Sequence, residues 1–243
     1  MTRAAYRAAI TWSARTGTEL GLECDVHFSA DDQLICLHDL RVNRTSRSRG
    51  RAIELTVAQL KRLDFSRLGP RRWLTTAAQR ELVTLQELLI MVREARDRGV
   101  PVSLVIETKH ANPRGAEVEY RLADQLVALG WDAVGSPVRV ISFDQEAVER
   151  LGRLLPNLER TFLIEKSLGP WADGRLFDGV RAVGPDLLLI KDDPGFVDRA
   201  HAQGNQVHAW TVNEPADIRF CQELGVDSYT TDYPDRVAKI LAP

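Results

Sequence analysis

Two pairs of side chains in the N-terminal half are spaced for chemistry. Glu23 and Asp25 stand in LGLECDV, and Glu107 and Lys109 stand in VSLVIETK. Each segment reads as a strand, where residues two apart share a face. The first pair therefore offers two carboxylates to one side, and the second a carboxylate beside an ammonium. Three carboxylates at neighbouring strand ends repel one another unless a cation joins them, and carboxylates set in strands this apolar are costly without compensation. Oxygen-only ligands favour a hard ion, Ca²⁺ or Mg²⁺, over zinc. Lys109 is then suited to face an anionic substrate oxygen beside that metal. His38, closing the run QLICLH, is an imidazole that can pass protons at neutral pH. Polar groups also end two later strands: Trp210, Thr211 and Asn213 in QVHAWTVN, and Thr231 and Asp232 in SYTTD. Alone, an E-x-D reads as an exposed strand end and a single His as structural; it is the combination that points to a site.

Such groups need a scaffold that gathers distant strand ends. After an opening helix, apolar runs alternate with helical patterns along the chain, as in TLQELLIMVREARDRG before VSLVIETK and AEVEYRLADQLVALG before VRVISFD. That alternation implies βα units, and strands apolar almost throughout imply parallel strands covered on both faces. Helices repeatedly end at a glycine (Gly99, Gly130, Gly204, Gly225), where left-handed C-caps belong. The expectation is an α/β fold, a (β/α)8 TIM-type barrel forming a single domain over residues 1–243, with catalytic groups at the C-terminal strand ends. The main strands number seven, those carrying Glu23, Glu107, Ser142, Leu163, Leu189, Trp210 and Thr230, so the barrel is expected to lack its first strand. QLICLH reads as a short strand paired with the first through a turn at Ser29 to Asp32. GRLFDGVRAV reads as a helix and DLLLIKD as a strand. Residues 41–82 form an irregular insertion, with the Arg-rich RVNRTSRSRGR, a helical TVAQLKRLD and then LGPRRWLTTAAQRE, suited to a lid or to solvated loop charge.

Composition narrows the function classes. With 32 Lys+Arg against 34 Asp+Glu, the formal charge of -2 gives no global field for nucleic acid or an anionic membrane. No run approaches the roughly 20 apolar residues of a membrane span, and the N-terminus lacks the apolar core of a signal peptide. Three cysteines, Cys24, Cys36 and Cys221, are an odd number without metal-site spacing. They read as buried apolar residues in a reducing, cytoplasmic setting.

In order along the chain, Glu23-Cys24-Asp25-Val26, His38-Asp39, Arg44-Thr45, Ile106-Glu107-Thr108-Lys109, Ser142-Phe143, Trp210-Thr211-Val212-Asn213 and Thr231-Asp232-Tyr233-Pro234 resemble the motifs of the glycerophosphodiester phosphodiesterases over nearly the whole length. The resemblance implies a (β/α)8 barrel that uses a divalent cation to hydrolyse glycerophosphodiesters to an alcohol and glycerol 3-phosphate. It implies that Glu23, Asp25 and Glu107 hold the metal, that His38 is one of two acid/base histidines, that Lys109 faces the phosphate and that Trp210 lines the glycerol pocket. The family pattern opens with a strand ending in H-R-G followed by P-E-N-T, and Met1-Thr2-Arg3 begins where that Thr and its helix belong. A shortened version of a complete enzyme, its activity compromised by the missing histidine, is therefore expected. Two alternatives are a non-catalytic barrel that binds a phosphorylated ligand and a lysophospholipase D-like enzyme. The latter's relatives usually carry Asn-Pro-Trp where this chain has Thr231-Asp232-Tyr233-Pro234.

Overall fold

The structure, a computed structural model, describes residues 1–66, 76–77, 80–110 and 112–242. They cluster into two compact units, Met1–Val138 and Arg139–Pro243. Most of LGPRRWLTTAAQRE lies outside the described residues.

The first unit opens with α1 (Arg3–Thr16), begun by the Thr2 side chain accepting from the Ala5 amide and ended by Gly17 at φ 69°. The buried Tyr6, Ile10 and Ser13 recur at helical spacing along it, and the Tyr6 hydroxyl donates to the Glu23 carbonyl at 3.1 Å. Next comes β1 (Leu20–Phe28), which pairs antiparallel with the short β2 (Leu34–Cys36) and parallel with β3 (Val102–Thr108). The β1–β2 turn places Asp32 at φ 58°, a conformation that Asp tolerates better than most residues. This is the short strand expected in QLICLH.

Between β2 and β3 lie α2 (Val57–Lys61) and α3 (Leu85–Asp97), each started by a reciprocal capping box, Thr56 with Gln59 and Thr84 with Glu87. The insertion is not only solvated charge. Val42, Ala52, Leu60, Phe65 and Leu82 bury themselves with Ile35 and Leu37 in a small core of their own. After β3, α4 (Glu117–Ala128) completes the unit's named helices.

The second unit is built on β4 (Val138–Ser142), β5 (Glu159–Ile164), β6 (Ala182–Pro185), β7 (Gln206–Ala209) and β8 (Ser228–Tyr229), parallel and hydrogen-bonded in that order. Its helices are α5 (Gln145–Leu154), α6 (Leu187–Asp192), α7 (Phe196–Ala202), α8 (Pro215–Glu223) and α9 (Pro234–Leu241). Phe196, Val183, Ile190, Val207 and Ile218 are among its fully buried core residues. The four expected glycine caps, Gly99, Gly130, Gly204 and Gly225, all have φ between 69° and 79°.

One pair of elements is exchanged relative to expectation. GRLFDGVRAV holds no helix; its end supplies β6, and DLLLIKD forms α6 rather than a strand. The Asp186 carboxylate accepts from the Leu188 amide at 2.7 Å and caps a helix there, leaving Leu188 64% exposed, which a stave buried on both faces would not allow. Strand AVGP escapes detection because Gly and Pro are poor strand formers. A Cβ at Gly184 would stand 2.5 Å from Leu163 Cδ2 and would have to push that side chain aside. The count of seven parallel strands among the described residues survives this exchange, and the first named element is a helix.

Candidate active site

The carboxylates meet because of strand register. Asp25 and Glu107 are direct partners across the parallel β1–β3 pair, and Glu23 shares Asp25's face two residues earlier. Oxygens of Glu23, Asp25 and Glu107 all lie within 4.8 Å of one another. Lys109, just past the end of β3, sets its Nζ 2.8 Å from Asp25 Oδ1 and 2.7 Å from Glu107 Oε1. One ammonium against three carboxylates leaves the cluster short of positive charge. Desolvation and then repulsion from Asp25 and Glu107 push the Glu23 carboxyl well above its ordinary range. Burial and then Asp25 lift Glu107 to about 7, against the pull of Lys109. Burial alone would lower Lys109, but Asp25 and Glu107 overcome it and hold its ammonium protonated above the usual range. An all-oxygen set in which repulsion raises Glu23 and Glu107 fits a hard divalent cation, which would relieve that repulsion.

Lys109 also forms part of the wall of a cleft of about 520 Å³, with His27, His38, Asp39, Arg44 and His110 around it. His38 is 54% exposed, and its Nδ1 lies 2.7 Å from Asp39 Oδ1. Arg44 grips the same carboxylate with Nε at 2.7 Å and Nη2 at 2.8 Å. The Arg44 hydrogen bonds, then His38, hold the Asp39 carboxyl down at about 2 despite partial burial. With Nδ1 taken up by Asp39, Nε2 of His38 is the ring nitrogen left for proton exchange. Buried His27, on the face of Glu23 and Asp25, places its Nε2 3.1 Å from the His38 carbonyl oxygen, which fixes the backbone that carries His38. Burial lowers its pKa, against the pull of its hydrogen bond to the His38 carbonyl.

Trp210 belongs to the second unit. Its indole Nε1 donates to the Gly184 carbonyl at 2.6 Å, and its ring stands edge-on to Phe143, with centroids 5.3 Å apart. Asn213, Thr231 and Asp232, polar strand-end residues in the sequence, are tied to one another: Asn213 Nδ2 donates to Asp232 Oδ2 at 2.8 Å, and Thr231 Oγ1 to Asn213 Oδ1 at 3.1 Å. They latch the turns after β7 and β8 together.

The sequence reading left two contributors without roles, Arg44 as the clamp on Asp39 and His27 as the support for His38. Period-two spacing from Asp25 was the available signal for His27. None marked Arg44 beyond its place in the Arg44-Thr45 motif.

Residues 3–236 match the Glycerophosphoryl diester phosphodiesterase family. A Mycobacterium tuberculosis protein named "Probable glycerophosphodiester phosphodiesterase 1" is 36% identical over 241 residues, 97% of this chain and 85% of that one. A Bacillus subtilis glycerophosphodiester phosphodiesterase is 28% identical over 230 residues, 90% of this chain and 75% of that one. Among solved structures, an Oleispira antarctica phosphodiesterase in complex with the product sn-glycerol-3-phosphate superposes with a TM-score of 0.80 at 22% identity, covering 97% of this chain and 90% of that one. A Parabacteroides distasonis glycerophosphodiester phosphodiesterase superposes with a TM-score of 0.74 at 23% identity, covering 97% and 88%. These superpositions place the fold in the α/β class of (β/α)8 barrels. This chain belongs to the glycerophosphoryl diester phosphodiesterase family.

Proposed function

We propose that this chain hydrolyses glycerophosphodiesters to glycerol 3-phosphate and an alcohol. The observation that carries the reading is the convergence of Glu23, Asp25 and Glu107 within 4.8 Å, joined by Lys109 to the cleft that His38 lines. Glu23, Asp25 and Glu107 are the proposed ligands of a divalent cation, Ca²⁺ or Mg²⁺. Such a cation, when bound, neutralises phosphoryl oxygens as charge moves onto them.

The other roles fall to the chain's own groups. Lys109, held protonated by its carboxylate neighbours, presents a fixed positive charge to a phosphate oxygen. His38 takes the proton of the attacking hydroxyl through Nε2, while Asp39, clamped by Arg44, orients the ring and steadies the positive charge that develops. For Trp210 the proposed role is packing against the glycerol moiety, supported by an indole fixed on Gly184 and Phe143.

Residues 1–243 are proposed to act as one catalytic domain carrying the insertion at 41–82, in line with a family match that runs unbroken from residue 3 to 236. The proposed partner is a small-molecule diester. No helix among the described residues is long and apolar enough to cross a membrane. The proposed setting is the cytoplasm, supported by three buried cysteines that are all free thiols.

Incubating the purified chain with glycerophosphocholine and either cation, and following glycerol 3-phosphate with a coupled dehydrogenase, tests the reading. Product that depends on the cation and is lost on chelation is expected. Thermal stabilisation by the cation with no product from any glycerophosphodiester would replace it with ligand binding alone, and product from lysophosphatidylcholine only would favour a lysophospholipase.

A further inference from the structure

One wall of the cleft lined by Lys109 and His38 comes from the start of the insertion: Leu40, Arg41, Asn43 and Arg44. Backbone hydrogen bonds hold that wall in place. The Val42 amide donates to the Gly50 carbonyl at 3.1 Å and the Ala52 amide to the Leu40 carbonyl at 2.9 Å, with Arg41 bridged antiparallel to Arg51. The Asn43 side chain closes the loop by accepting from the Gly50 amide at 3.1 Å. Val42 and Ala52 are anchored in the insertion's small core, so Arg41 is fixed at the cleft while its side chain stays exposed.

The charges of this cleft are unevenly committed. Asp39 is the one carboxylate among the described lining residues, and Arg44 holds it through two hydrogen bonds. Lys109 is held by Asp25 and Glu107 and faces the phosphoryl group in the reading above. Arg41 differs from both: among the described residues no carboxylate lies within ion-pair distance of it. A glycerophosphodiester brings one negative charge, on its phosphoryl group, and Lys109 and the proposed cation already answer that charge. The glycerol arm is neutral and is assigned to Trp210 in the second unit, whereas every residue lining the cleft belongs to the first. The head-group arm is therefore what remains for the wall that carries Arg41, and a guanidinium held there is complemented by an anion.

We propose that Arg41 is a specificity-determining residue that selects glycerophosphodiesters whose head group carries a further anion, a carboxylate or a phosphate, over those with a cationic head group such as choline. The inference rests on the phosphodiesterase reading above.

The test compares kcat/KM at saturating cation within two pairs of esters that differ by one anionic group. Glycerophosphoinositol and its 4-phosphate probe phosphate; glycerophosphoglycerol and glycerophosphoglycerate probe carboxylate. In wild type the anionic member of at least one pair should exceed the neutral one by about 5- to 20-fold, mainly through KM, a charge-assisted hydrogen bond weakened by solvent screening. The larger gain names the anion, and glycerophosphocholine should fall below both neutral esters. Arg41→Gln should bring the anionic-to-neutral ratio to within about twofold of one, and Arg41→Glu should invert it. Added salt should shrink the wild-type ratio and leave that of Arg41→Gln flat. Each ratio is taken within one protein, so a loss of folded material cancels. A wild-type ratio near one on both pairs, or a wild-type preference that survives both substitutions, would overturn the assignment. A wild-type chain that releases glycerol 3-phosphate from none of the five esters would remove the phosphodiesterase reading itself, and Arg41's role with it.

Discussion

Replacing Glu107 with Gln should remove a pH-dependent penalty from the metal-free protein. Glu107 is 6% exposed, it faces Asp25 in register, and its carboxyl is lifted from 4.5 to about 7. At 1.36 kcal/mol per pKa unit, ionising it in the folded chain costs about 3 kcal/mol more than in the unfolded chain. Between the unfolded value of 4.5 and the folded value of about 7, the folded chain holds more of this proton than the unfolded chain does. Stability therefore falls as pH rises through that window, and the full penalty is present above it. Gln cannot ionise. With a chelator present, urea unfolding of wild type and variant at the two ends of the window should give a free-energy difference that shifts by about 3 kcal/mol, favouring the variant at the higher pH. Comparing the two proteins cancels the other titrating groups to first order. At the higher pH, cation at about 100 times its Kd should return about 2.7 kcal/mol to the wild type and less to the variant. A difference between the proteins that stays flat across the window would refute both the raised carboxyl and the crowding invoked to explain it.

Other residues carry narrower expectations. His38→Ala should lower kcat on glycerophosphocholine about 10²- to 10⁴-fold with little change in KM, measured by steady-state kinetics. Gly174→Ala should cost about 3 kcal/mol in urea unfolding, because a Cβ at φ 82° would stand 2.6 Å from the backbone of Arg199 and Ala200. Burial and then Arg139 hold His208 at about 4, so the folded chain takes up that proton later than the unfolded one, and stability present above 6.5 drains away as pH falls toward 4. His208→Gln should flatten that acid loss by about 3 kcal/mol, read from unfolding free energies at both ends of the window.

The parts of this protein legible in its sequence are those where chemistry and periodicity agree. Glu23, Asp25, Glu107 and Lys109 stand out because carboxylates two apart on a strand, or one two residues before a lysine, have no business in an apolar run without a partner, and the structure does bring the three carboxylates together. Glycine caps are legible because a left-handed φ demands one residue type at one place. What escapes is decided by register and by side chains that meet across turns. No pattern in VSLVIETK says that Glu107 pairs with Asp25 rather than with Glu23; the β1–β3 register does. The β6 and α6 segments exchange identities because Asp186 caps a run of four apolar residues that local pattern reads as a strand.

His110 and Glu119 are nine residues apart and lie on a loop and a helix. Neither falls into a periodic pattern with the other. Their pairing emerges only when the chain turns back after β3, and that turn sets a second carboxylate-backed imidazole beside Lys109. A residue can therefore adjoin a recognisable motif and still have its partner hidden until the loop is closed. In this chain that applies to His110 and Glu119.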